Sequence, residues 1–115
     1  MDLTGPHARG MVVFTPQYEG PPGCVQGGVL AACFDIVLSG ATYIHDAAGP
    51  TVSLTLRYRK PTKLLVESVI EAELDRREGV RTYAKGRLLQ DGIVTVEAEA
   101  VFANIGRDRT RRLGG

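Results

Sequence analysis

Between Gly20 and Ile44 the chain carries a single formally charged residue, Asp35, set inside the apolar run GGVLAACFDIVL. That run predicts a helix from about Gly27 to Tyr43, apolar nearly all round and therefore buried on most sides. Gly49 and Pro50 supply stop signals beyond it. A membrane span is the competing reading of so apolar a stretch. Against it stand three glycines, polar Ser39 and Thr42, and the acid itself, since a charge at mid-bilayer costs about 2.5–3.5 kcal/mol.

The pattern then changes period. In TVSLTLRYR, Val52, Leu54, Leu56 and Tyr58 alternate with polar neighbours, the signature of a strand with one apolar face. VESVIEAELD, a turn at REG and VRTYAKGRLLQ follow, and the Asp91-Gly92 pair is a strong hairpin signal before IVTVEAEAVFANI. In that last strand Val94, Val96, Ala98, Ala100 and Phe102 read as one face. MVVF at residues 11–14 predicts one further short strand ahead of the helix. The expected class is α+β, one antiparallel sheet covered by one long hydrophobic helix. Residues 1–115 make a single domain, with 1–10 and 106–115 expected as frayed ends.

Composition excludes several functions. A net charge of +1 lacks the basic surplus of a nucleic-acid binder. The N-terminal MDLTGPHARG lacks the basic and apolar regions of a signal peptide, which points to a cytoplasmic protein with no membrane association. Cys24 and Cys33 form no CxxC pair, and His7 and His45 no HxxxH, so neither a metal nor a cofactor is expected. Free thiols in a reducing compartment are the expected state of the cysteines. Cys33 reads as a packed thiol rather than a nucleophile, and His45 as a complement to the helix dipole.

Two features carry chemistry. Gly27 and Gly28 open the helix, where the first backbone N–H groups lack intrahelical partners and point outward. Without side chains there, a carbonyl oxygen can approach them, which suits an oxyanion hole. A phosphate site and simple tight packing are the alternatives. Asp35 is either a structural acid satisfied by a cap or a neighbouring hydroxyl, or a catalytic acid or base, because an unpaired buried carboxylate costs several kcal/mol. Gly27 and Asp35 are about 12 Å apart along one helix. Two antiparallel copies of the chain bring one helix start to the other's acid, so a site at a dimer interface is expected.

The segments GCVQGGVLAACFD, TVSLTLRYRKPTKL and ELDRREGVRTYAKGRLLQDG, in this order, resemble the hotdog-fold acyl-CoA thioesterases of the PaaI-like, phenylacetate-pathway type. The resemblance covers residues from about 18 to 105. It implies a hotdog fold, a homodimer that can pair into a dimer of dimers, and hydrolysis of a small or medium acyl-CoA. By position, Gly27 would donate its N–H to the thioester oxygen, aided by Gln26. Asp35 of the second copy would act as base or nucleophile, with Thr51 helping to hold the water. Gly28, Tyr58, Arg59, Gly79, Val80, Arg81 and Thr82 would bind the substrate, whose CoA part Tyr58 and the 79–82 turn would grip. Arg57 and Lys60, beside Arg59, could meet its phosphates or form a solvated face. Two positions depart from the pattern. Gln26 replaces the motif histidine, and Gly20 stands where an asparagine is often found. A non-catalytic acyl-CoA- or lipid-binding module is the alternative; a dehydratase or hydratase would need a histidine near the glycines.

Overall fold

The computed structural model describes residues 7–44 and 49–103. Strand β1 (His7–Val12) and a 3-10 turn (Pro16–Tyr18) precede helix α1 (Gly27–Ile44). Strands β2 (Thr51–Tyr58), β3 (Ser68–Glu78), β4 (Arg81–Gln90) and β5 (Ile93–Ala103) follow. All pair antiparallel in one sheet of order β1-β3-β4-β5-β2, so β1 and β2 are the two edges.

The turns follow from residues that tolerate positive φ. Gly79 (φ 60) turns β3 into β4, and Asp91 (φ 53) with Gly92 (φ 75) makes the two-residue hairpin to β5 that DG predicts.

Leu30, Phe34, Leu38 and Ala41 form the buried stripe of α1, at spacings of four, four and three. They pack on Ile70, Ala72, Ala84, Leu88, Val96, Ala98, Ala100 and Phe102 of the sheet. The middle of the sheet is lined by alanines and Gly86, so the helix can sit close. A Cβ at Gly86 would fall 2.6 Å from the Glu71 carbonyl oxygen, 3.3 Å from Leu38 and 3.4 Å from Phe34.

Four expectations need correction. The first strand is His7–Val12 rather than 11–14, so residues 7–10 are not frayed. Arg9 is exposed, and it is the backbone ladder to β3, from His7↔Glu73 to Val12↔Ser68, that orders them. Helix α1 is buried on one side only, with Ile36 71% exposed, because a single sheet covers a single face. Val94 leaves the apolar face of β5. The register slips between Leu88 and Leu89, which buries Thr95 and turns Val94 towards the charged outer face beside Glu97 and Glu99. Thr82, expected to grip CoA, points into the core and is fully buried, as strand alternation from exposed Arg81 requires. His45 and the tail from 106 lie outside the described residues. Among those described, no helix is long and apolar enough to cross a membrane.

Gly86→Ala should destabilise the fold by about 1–3 kcal/mol, since the contacted oxygen is backbone and cannot rotate away. Urea unfolding would measure it, and an unchanged midpoint would disprove so close an approach of β3 and α1 to position 86.

Candidate active site

The approach to the helix start is a tight loop. Gly20 N–H donates to the Cys24 carbonyl (2.9 Å), Cys24 N–H to Pro21 (2.9 Å) and Gln26 N–H to Tyr18 (2.8 Å). The Gly23 N–H, at φ 75, donates to Glu19 Oε2 at 2.7 Å. The loop therefore delivers Gln26 in one orientation. Its carbonyl accepts the first helical bonds, from Val29 (3.1 Å) and Leu30 (3.3 Å), while its side chain stays exposed. The amides of Gly27 and Gly28 come just ahead of those bonds, in the turn where helix geometry supplies no carbonyl acceptor. The Tyr58 hydroxyl donates to the Gly27 carbonyl at 3.0 Å.

Asp35 lies about two turns further along α1, half-buried on its flank. The Thr51 hydroxyl, at the start of β2, donates to its Oδ1 at 2.9 Å. Two residues singled out separately in the sequence are thus in direct contact.

The candidates divide between the two ends of β2. Tyr58 pairs with Val96, which pairs with Leu88, whereas Thr51 pairs with Phe102, which pairs with Thr82. Gln26, Gly27, Gly28, Tyr58 and Arg59 therefore gather at one end. Asp35, Thr51 and the 79–82 turn gather at the other, where Val80 and Arg81 are exposed. No single chain brings the two groups together.

At the Gly27 end a recess of about 430 Å³ is lined by Gly27, Leu30, Tyr58, Arg59, Lys60 and Thr62, with Pro21, Cys24, Val25 and Pro61 completing it. Its floor is fixed by buried polar bonds. Thr62 shares a hydroxyl bond with Thr95 (2.9 Å), and Gln90 holds the Lys63 backbone through both amide atoms (2.9 Å each). Nothing in the sequence patterns singles out these side chains, because isolated polar residues in strands read as solvated.

Arg59 sits differently from its expected role. Its guanidinium meets Glu97 side-on, Nε to Oε1 and Nη2 to Oε2, both at 3.2 Å. That pair is the consequence of Arg59 following β2 beside the acidic outer row of β5, a cross-strand relation that spacing alone does not reveal. Burial pushes the Cys33 thiol up, which disfavours the thiolate a nucleophile needs. Among the described residues, no cluster of three or more His, Cys, Asp and Glu could hold a metal ion.

No family model matches the chain. It is 32% identical over 93 residues to the acyl-coenzyme A thioesterase THEM4 of Xenopus laevis, covering 78% of this chain and 41% of that protein. The Mus musculus protein of the same name is 28% identical over 76% of this chain and 38% of its own length. The chain thus spans about two fifths of the curated relatives it matches. A solved thioesterase superfamily protein matches with TM-score 0.83 and 36% identity, over 85% of this chain and 49% of that one. A phenylacetic acid degradation-related protein of Ralstonia eutropha JMP134 matches with TM-score 0.78 and 28% identity, over 90% of this chain and 80% of the other. A Streptococcus pneumoniae TIGR4 protein solved with coenzyme A shares the fold at 17% identity, TM-score 0.80, over 86% of this chain and 80% of that one. The fold is the hotdog fold, and the chain is similar in sequence and structure to thioesterases of that fold.

Gly20 has a structural cause of its own. A Cβ there would lie 2.9 Å from the Gln26 Cα and 3.2 Å from its Cβ. Restoring the asparagine of the family pattern by Gly20→Asn should therefore lower stability, by about 1–3 kcal/mol, and displace the helix start. Thermal unfolding beside an activity assay tests this; a variant as stable as the parent and more active would refute it.

Proposed function

We propose that this chain is a subunit of a thioesterase that hydrolyses a small or medium acyl-CoA to the free acid and CoA. One observation carries the reading: the glycine amides and the Asp35–Thr51 pair occupy opposite ends of one strand, as halves of a shared site would. Among the described residues, no strand lies beside the outer edge of β2. Val52 is 51% exposed and Ile36 71% exposed near the same side. An open edge with apolar neighbours favours pairing with a second copy, and a two-fold axis would set each helix start against the other chain's Asp35. A homodimer is the minimal unit in this reading, and a dimer of dimers a further level of assembly.

The chemistry follows from the donors present. The Gly27 N–H, at the positive end of α1, polarises the thioester carbonyl and stabilises the oxyanion that forms. Thr51 occupies Oδ1 of Asp35 and fixes the carboxylate plane, leaving Oδ2 for the water. Asp35 takes the proton as water attacks the carbonyl carbon, and the C–S bond breaks with that proton passing to the CoA sulfur. Direct attack by Asp35, through an anhydride that water then opens, uses the same geometry. The exposed Gln26 amide can orient the thioester but carries no proton charge. Val80 and Arg81, with Gly79, stand where the CoA moiety would lie. CoA enters as part of the substrate, and no other cofactor is invoked. Both cysteines are free thiols, which suits a cytoplasmic setting. The competing reading, a binding module without turnover, draws on the lack of a side chain at Gly20 and on Gln26 in place of the motif histidine.

Asp35→Asn separates the two. As a catalytic base, Asp35 should be worth at least about 10²-fold in kcat, while light scattering still shows a dimer and acyl-CoA still binds. A parent that binds acyl-CoA without hydrolysing it would favour the binding module. A variant that melts lower but keeps its rate per folded molecule would return Asp35 to a structural role.

A further inference from the structure

We propose that Tyr58 is a positioning residue that aims the Gly28 N–H at the substrate oxygen, making the oxyanion site a pair of adjacent amides rather than the Gly27 amide alone. This deepens the thioesterase reading and rests on it for the identity of the oxygen. The argument begins with what two consecutive glycines lack. Each N–H at a helix start belongs to a peptide plane whose other polar atom is the preceding carbonyl, and the direction of the N–H is set by whatever holds that carbonyl. The Gly27 N–H shares its plane with the Gln26 carbonyl, which accepts from Val29 and Leu30. The Gly28 N–H shares its plane with the Gly27 carbonyl, and this is the atom that receives the Tyr58 hydroxyl at 3.0 Å.

Glycine permits many backbone conformations, so a Gly-Gly step in the first turn is poorly determined by its own sterics. A second donor on the Gly27 carbonyl, besides any helical N–H, uses its free lone pair and removes that freedom. The tyrosine is itself well anchored. Its backbone sits in the β2–β5 ladder opposite Val96. The next two amides, Arg59 (2.8 Å) and Lys60 (3.1 Å), both donate to the Thr95 carbonyl. The register slip at Thr95 that displaces Val94 thus also fixes the strand end carrying Tyr58.

The contact accounts for the glycine at 27 as well. A Cβ there would fall 3.2 Å from the Tyr58 Oη and 3.5 Å from its Cζ, so the ring occupies the space a side chain would need. At Gly28 nothing lies within 4 Å of such a Cβ, and the residue is exposed. A hydrogen bond into a carbonyl also strengthens the N–H of the same peptide as a donor. The chain runs from the Tyr58 O–H through the Gly27 carbonyl and Gly28 N–H to the substrate oxygen.

Tyr58→Phe removes one oxygen and keeps the ring, so it isolates this bond. In the dimer, the Gly28 amide resonance in a ¹H–¹⁵N spectrum should shift and exchange faster with solvent, while the Gly27 amide changes less. With an acyl-CoA substrate, kcat should fall about tenfold with KM within twofold, since the interaction strengthens in the transition state. Three results would overturn the proposal. They are an unchanged Gly28 amide, a raised KM with kcat intact (the mark of a residue that only grips CoA), or a general loss of stability that accounts for the rate. The amide measurement needs no turnover. A parent without hydrolysis would therefore remove the thioesterase reading while the spectrum still decides whether Tyr58 sets the Gly28 peptide.

Discussion

Helix α1 seats Leu38 and Phe34 so near the sheet that a methyl group at position 86 would lie 3.3 and 3.4 Å from them, and 2.6 Å from the Glu71 carbonyl oxygen of the neighbouring strand. This close seating depends on Ala72, Ala84, Ala98 and Ala100 as much as on Gly86, since each keeps its strand surface low under the helix. It also determines what stays uncovered. Four apolar side chains on one stripe of α1 satisfy the sheet, and on the opposite side Ile36 stays exposed among the described residues. The helix is thus a core element on one side and a surface on the other. The amides at its start and the acid two turns on lie along the boundary between them.

Strand β2 is an edge strand tied to that helix at both ends. Thr51 reaches Asp35 and Tyr58 reaches Gly27, each through one side-chain hydroxyl. A hydroxyl bond of this kind contributes about 1 kcal/mol net, little beside the hydrophobic burial, so the two contacts matter for orientation more than for stability. Their effect is to make the spacing between the amides and the carboxylate a property of one rigid unit. Whatever docks against β2 meets both groups at a set separation.

Much of this was legible in the residues. The helix from Gly27, the DG hairpin and the alternation of β2 all follow from local pattern, because each depends on periodicity or on a turn residue with its own φ preference. Asp35 and Thr51 were individually visible. Their contact was not, since sixteen residues of chain and a change of element separate them. The first strand was placed too late because Ala8, Arg9 and Gly10 have weak strand character, and only their pairing with β3 makes them a strand. Val94 and Thr82 failed for different reasons. The bulge beside Leu88 leaves no mark in the spacing, whereas the inward face of Thr82 follows from alternation and is at odds only with the role the resemblance implies. Arg59 reads as a substrate contact in the sequence, and its pair with Glu97 depends on a cross-strand relation that spacing does not carry.

The contact between Gly20 and Gln26 bears on how such a chain can drift. A side chain at position 20 would meet the backbone of residue 26, so the two positions are geometrically one choice rather than two independent departures from a pattern. With glycine at position 20 the loop lies close against residue 26, and in this form a side chain at 20 alone would meet that backbone. Substitutions at these positions are therefore expected to accumulate in a fixed order, position 26 moving its backbone before position 20 can regain bulk. Seven residues of loop act here as an evolutionary ratchet.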